Sequence, residues 1–78
     1  MVTPEQVRQY ICDNLPCDHV EVAGDGHHFE AVIVSDRFEG KSRVQQHQTV
    51  YAALGDRMRE QIHALSMKTF TPREWSAR

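Results

Sequence analysis

The imidazoles carry the most chemistry in this chain. His63 stands where a helical pattern hands over to a strand pattern, and the pair His27-His28 opens another strand-like segment. A histidine at a strand mouth can serve as a hydrogen-bonding cap, a metal ligand or a proton carrier, because neutral imidazole both donates and accepts. His47 falls on an apolar helical stripe with Val44 and Tyr51 and reads as a packed, hydrogen-bonded residue. His19 reads as a solvated residue at a strand start. Thiol chemistry has less support: Cys12 and Cys17 follow neither a Cys-x-x-Cys nor a disulfide-framework spacing. Cys12 reads as a helix-flank residue and Cys17 as a loop thiol. No nucleophile–base pair is singled out by spacing, since Ser35, Ser42 and Ser66 answer to a turn, a helix cap and a strand position. Asp25 stands near His28 and could orient its imidazole, but such pairs are common on loops. The chain reads as a non-enzyme.

Three capping signatures fix the elements that must position these groups. Thr3-Pro4-Glu5-Gln6 sets a cap, a proline at the first helical position and a glutamine at the third. Val7, Tyr10, Ile11 and Leu15 then share one helical face, and Leu15-Pro16 ends the run. Ser42-Arg43-Val44-Gln45 repeats the box and opens the longest periodic stretch, Val44, His47, Tyr51, Leu54 and Met58, helped by Val50. Thr71-Pro72-Arg73-Glu74 opens a short last helix able to dock Trp75 on the body.

Between the first two helices, His19 to Ala23 alternates with Val20 and Val22 on one face. Gly24-Asp25-Gly26 is a turn whose glycines can take positive φ. Residues 28–34 are rich in β-branched types and suit a central strand. Residues 62–70 form a third strand, with Leu65 and Met67 on the His63 face. The order is αββαβ(α), an α+β domain with a three-stranded sheet. A tight turn makes the first two strands antiparallel, and a helix between the second and third is long enough for a parallel crossover. Parallel neighbours start at the same end of a sheet, about 4.8 Å apart. His28 and His63 are therefore expected to converge at one sheet edge.

Bulk properties set the limits. Seventy-eight residues, with 40 % hydrophobic types, make one globular domain over 1–78 and leave little room for a substrate cleft. A net charge of −2 argues against holding nucleic acid by bulk charge. No apolar run approaches the roughly 20 residues of a membrane span, and no basic-then-apolar leader opens the chain, so no membrane association and a cytoplasmic location are expected. Gly24-Asp25-Gly26 lacks the third glycine of a phosphate loop and precedes a strand. Arg37, Lys41 and Arg43 cluster before the long helix, with Lys68 and Arg73 as further contributors to a basic face.

Five blocks in order, Gly24-Asp25-Gly26-His27-His28-Phe29, Val34-Ser35-Asp36-Arg37-Phe38-Glu39-Gly40, Gln46-His47-Gln48-Thr49-Val50-Tyr51, His63-Ala64-Leu65 and Thr71-Pro72-Arg73-Glu74-Trp75, resemble the BolA family, closest to its short bacterial, IbaG-like branch. Each block alone is weak, but the set spans nearly the whole chain. The resemblance implies a KH-like fold of class II type, with a three-stranded mixed sheet and helices packed on one face. It implies a partner, a monothiol glutaredoxin, and a [2Fe–2S] cluster shared with it, none being expected in the isolated chain. His63 matches the family's histidine ligand before Ala-Leu. His28 matches the second, with His27 as local alternative. No cysteine occupies the loop before the second strand, so the chain resembles the histidine-ligand type, and imidazole ligation on one iron raises a cluster's potential. The implied function is a non-enzymatic adapter in iron–sulfur trafficking and in iron and redox signalling. The alternative is a DNA-binding transcriptional regulator of the stress response using Arg37, Lys41 and Arg43. The glycines at 24, 26, 40 and 55 make no Gly-x-x-Gly clamp, which counts against nucleic acid. A homodimer is compatible with the sequence.

Overall fold

Each helix begins where its capping box stands. The computed structural model describes residues 2–57, 62 and 64–78. In helix α1 (Pro4–Asn14), Gln6 N–H donates to Thr3 Oγ1 at 3.1 Å and Thr3 N–H donates to Gln6 Oε1 at 2.8 Å. Helix α2 (Arg43–Leu54) opens on the same exchange between Ser42 and Gln45, and helix α3 (Pro72–Ala77) between Thr71 and Glu74. These bonds satisfy N–H groups that a helix start leaves without partners. Helix α1 stops because Leu15, ahead of Pro16, is extended, as a residue before proline prefers.

Strands β1 (His19–Gly24), β2 (His28–Val34) and β3 (Ala64–Phe70) form one sheet in the order β1-β2-β3. β1 pairs antiparallel with β2, setting His19 opposite Val34 and Gly24 opposite Phe29. β2 pairs parallel with β3, setting His28 opposite Ala64 and Val34 opposite Phe70. The mixed sheet expected from the element order is therefore present. Alternation places Phe29, Ala31 and Ile33 on the face under α1 and α2, where they join Val7, Ile11, Val20, Val50, Leu54 and Ile62 in the core.

The opposite face is covered at one end by α3. His19, Val34 and Phe70 form a row across it. The Trp75 ring stacks on His19 at 5.0 Å between centroids and lies against Phe70 at 5.3 Å, while the Arg78 guanidinium sits 3.5 Å above it. Val34, between the two rings in that row, is fully buried. Trp75 thus docks as expected, but His19 does not stand free in solvent. It is a half-buried platform for the tryptophan, with Nε2 3.1 Å from Glu21 Oε2, near enough for an ion pair but off the line of a hydrogen bond.

Helix α2 departs from the stripe its sequence suggested. Its buried residues are Gln46, Val50 and Leu54, whereas Val44 is 66 % and Tyr51 40 % exposed. Met58 lies outside the described residues. The reason is Gln46. Its Nε2 donates to the carbonyls of Phe38 (3.3 Å) and Lys41 (3.1 Å), and its Oε1 accepts from the Thr69 hydroxyl (2.7 Å). An amide satisfied in this way is cheap to bury. His47 is half-buried beside this face, and its Nε2 is enclosed without a hydrogen-bond partner, so packing holds it rather than the expected hydrogen bond.

Candidate functional site at the mouth of the parallel strands

The β1–β2 turn presents the histidine pair. Asp25 Oδ1 accepts from the backbone N–H groups of both His27 and His28 at 2.9 Å, and Asp25 N–H donates to the His28 carbonyl at 3.2 Å. Asp25 therefore holds the backbone of the pair and makes no hydrogen bond to an imidazole. The His28 and His27 N–H groups lower its pKa, because they stabilise the carboxylate form. The two glycines serve different ends. Gly26 takes φ +96°, as expected, whereas Gly24 ends β1 and is required for close approach. A Cβ there would collide with the His28 carbonyl oxygen and come within 2.8 Å of the Phe29 ring.

His27 and His28 are both exposed. Within β2, His28 shares the parity of Glu30 and Val32 and so belongs to the sheet face away from α1 and α2. The parallel pairing sets His28 opposite Ala64. His63, the residue before Ala64 in the sequence, lies outside the described residues. The strand direction that the histidine convergence requires is present.

Neither cysteine belongs to this turn. Cys17 donates its thiol to the Leu15 carbonyl at 3.2 Å, and burial, with Cys12 and Asp18 nearby, pushes its pKa up to about 11. It stays a protonated thiol at neutral pH. Cys12 is an exposed residue of α1. Among the described residues, no three His, Cys, Asp or Glu side chains come together as a metal cage.

The basic residues meet in part. Arg37 lies in a short 3₁₀ turn (Asp36–Phe38), its Nε 3.7 Å from Asp36 Oδ1, and Arg43 opens α2. Lys41 Nζ donates to Thr49 Oγ1 at 3.1 Å. Lys41 and Arg73 line one hollow of about 360 Å³, together with Glu39 and Glu74, so its charges balance. Lys68 is elsewhere, in a groove of about 700 Å³ on the open sheet face beside Glu21 and Glu30. The structure does not gather all five cations onto one surface.

A family model described as "BolA-like protein" matches residues 13–74. The chain belongs to the BolA family. It is 39 % identical over 72 residues to the acid stress protein IbaG of Escherichia coli K12, covering 91 % of this chain and 86 % of that one. The structure of a BolA homologue from Coxiella burnetii superposes with a TM-score of 0.90 at 47 % identity, covering 97 % of this chain and 99 % of that one. The DNA-binding transcriptional regulator BolA of Haemophilus influenzae is 42 % identical over 59 residues, which cover 76 % of this chain and 57 % of the regulator. None of these three BolA-family proteins is named for a catalysed reaction. Among the described residues, no helix is long and apolar enough to cross a membrane.

What this BolA-family site can do chemically follows from its donors. The turn offers exposed imidazoles on a backbone braced by the Asp25 carboxylate, and among the described residues neither cysteine lies in it. Neutral imidazole can ligate a metal, accept a hydrogen bond or carry a proton. Sequence reasoning found the histidines from their position before strands. It missed the bracing role of Asp25, although an aspartate two residues ahead of His27 has the spacing of a side-chain-to-backbone turn.

Proposed function

We propose that this BolA-family chain is a non-enzymatic adapter in iron–sulfur trafficking and in iron and redox signalling, acting in the cytoplasm. It docks on a monothiol glutaredoxin and, through His63 and His28, completes the ligand set of a [2Fe–2S] cluster shared between the two proteins. One observation supports this reading above the others: β2 and β3 are parallel, with exposed His28 in register with the residue that follows His63. A bound cluster supplies a redox centre and a transferable iron–sulfur unit. The chain's own residues supply neutral imidazole, and Asp25 holds the backbone that carries it. A protonated histidine cannot ligate, so acid releases the shared cluster.

The test mixes the protein with cluster-loaded monothiol glutaredoxin and follows visible absorption and circular dichroism. The wild type gives a heterocomplex spectrum distinct from that of the glutaredoxin alone. His63→Ala and His28→Ala lose it, and His27→Ala retains it. An unchanged spectrum for His63→Ala overturns the ligand assignment, and retention by His28→Ala with loss by His27→Ala transfers the second role to His27.

A second reading, direct DNA binding in stress-response regulation, draws on the named activity of the Haemophilus influenzae relative. Exposed Arg37, Lys41 and Arg43 flank the entry to α2 and would carry it. Binding measured against salt decides it: sequence preference that survives physiological ionic strength and disappears in Arg37→Ala/Arg43→Ala supports this reading.

A further inference from the structure

His19 is a titratable side chain for which the proposed site has no use, and its surroundings are unusual. Its Nε2 is closed off from solvent, makes no hydrogen bond and stands 3.1 Å from Glu21 Oε2. Its ring is stacked on the Trp75 indole at 5.0 Å, with 23° between the planes. The Arg78 guanidinium is 3.5 Å from the indole centre, too near to share that side, so His19 and Arg78 hold the indole between them. No residue of α3 is buried, yet the row it covers contains fully buried Val34. A short helix docked chiefly through one ring opens locally at low cost, and a small change at that ring moves its docking.

We propose that His19 is a proton-operated latch for α3: its protonated form pins Trp75 to the sheet, and its neutral form loosens the helix and bares Val34 and Phe70. Two contacts change with the proton. Neutral imidazole turns either a lone pair or a misaligned N–H toward Glu21, and neither attracts a carboxylate well. Imidazolium at the same distance forms an ion pair, whose attraction tolerates poor alignment. The ring also becomes a cation on the face of an indole, the aromatic system that attracts cations best. Arg78 opposes this as a second cation, but it acts across the indole, whereas Glu21 is in contact. The neighbours from β2 and β3, Val34 and Phe70, carry no charge, and Lys68 stands in the next row beyond Val32. Within α3, Glu74 accepts from the Thr71 N–H and Arg73 lines the hollow beside Lys41. Acid therefore closes the latch, and that contribution is lost as His19 gives up its proton. His28 is at the opposite end of β2, so the latch is separate from the proposed metal site.

Trp75 is the chain's single tryptophan, so its emission reports this helix alone. The experiment measures its bimolecular quenching constant with acrylamide, taken from lifetimes so that quenching by imidazolium itself does not enter. The two conditions are about pH 8.5 and about pH 5.5, on either side of an ordinary histidine and above ordinary carboxylates. In wild type the docking equilibrium is expected to shift about two- to fivefold toward the closed form in acid, seen as a lower quenching constant. His19→Phe keeps an aromatic ring for Trp75 to stack on and loses the response. Glu21→Gln keeps the imidazole and responds less than wild type. Far-UV circular dichroism and the urea midpoint establish that both variants remain folded. A wild-type constant that is equal at the two pH values overturns the proposal, as does a response that persists in His19→Phe. A full response in Glu21→Gln overturns it too, since the ion pair then plays no part.

Discussion

Helices α1 and α2 begin alike and bury themselves by different rules. Both open on a complete capping box and run for eleven and twelve residues. In α1, hydropathy alone picks out the buried face: Val7 and Ile11 are fully enclosed, and Leu15 just beyond the helix nearly so. In α2 the residue that anchors the helix is an amide, Gln46, bonded to two carbonyls of the preceding turn and to a hydroxyl of β3. The two apolar residues left outside are Val44 and Tyr51. Periodicity locates a buried face only where the buried residues are apolar. Where hydrogen bonding makes a polar side chain fit the core, the apolar residues are released for other use.

Core truncation tests the difference most strongly. Ile11→Ala removes a fully buried side chain and is expected to cost about 2–5 kcal/mol, read as a lower midpoint in urea. Gln46→Ala leaves the Thr69 hydroxyl and the Lys41 carbonyl without their partner, takes one of two donors from the Phe38 carbonyl, and is expected to cost about 2–4 kcal/mol. Gln46→Leu should recover little of that loss, because it restores volume but not the hydrogen bonds. If Gln46→Leu matches wild type, α2 is held by packing after all and the contrast with α1 collapses.

The caps should behave identically. Thr3→Ala and Ser42→Ala each delete one side-chain acceptor from a helix start and are each expected to cost about 1 kcal/mol by the same denaturation measurement. At the exposed stripe, Val44→Ala should fall within about 0.5 kcal/mol of wild type. A cost there comparable to that of Ile11→Ala would return Val44 to the core.

Much of the architecture was legible in the chain because it is written in local chemistry. The three boxes, the proline after Leu15 and the β-branched run of β2 each act within a few residues, and the element order with its parallel crossover followed from them. What was not legible depends on distant partners. Nothing near Gln46 announces Thr69, and nothing near His19 announces Trp75, which arrives from the far end of the chain to stack on it. The turn of the candidate site is intermediate. Its glycines mark a reversal, but Gly24 is needed for the approach of Phe29 and not for a positive φ. The histidine pair could be located by position, while the meeting of His28 with His63 concerns a residue outside those described.

The smallest effect expected sharpens the contrast between neutral and charged caps. Thr3 and Ser42 receive backbone N–H groups on hydroxyls, which do not titrate in the ordinary range, whereas Asp25 receives those of His27 and His28 on a carboxylate. Those bonds lower the Asp25 pKa below 3.8, the ordinary aspartate value. A carboxyl depressed in the folded state stabilises it above the unfolded pKa, and that contribution is lost as pH falls through the lower folded value. The His27 and His28 amide resonances should therefore shift with pH in wild type with a midpoint below 3.8, and stay flat over that window in Asp25→Asn. The amides of Gln6 and Gln45, held by hydroxyls, should show no such step. A midpoint at or above the ordinary value would mean that the turn is not held by Asp25 in solution. With the midpoint below it, the turn is intact throughout the imidazole range. Under the proposed function, loss of the shared-cluster spectrum above that midpoint then belongs to protonation of His28 or His63 and not to collapse of the turn that carries His28.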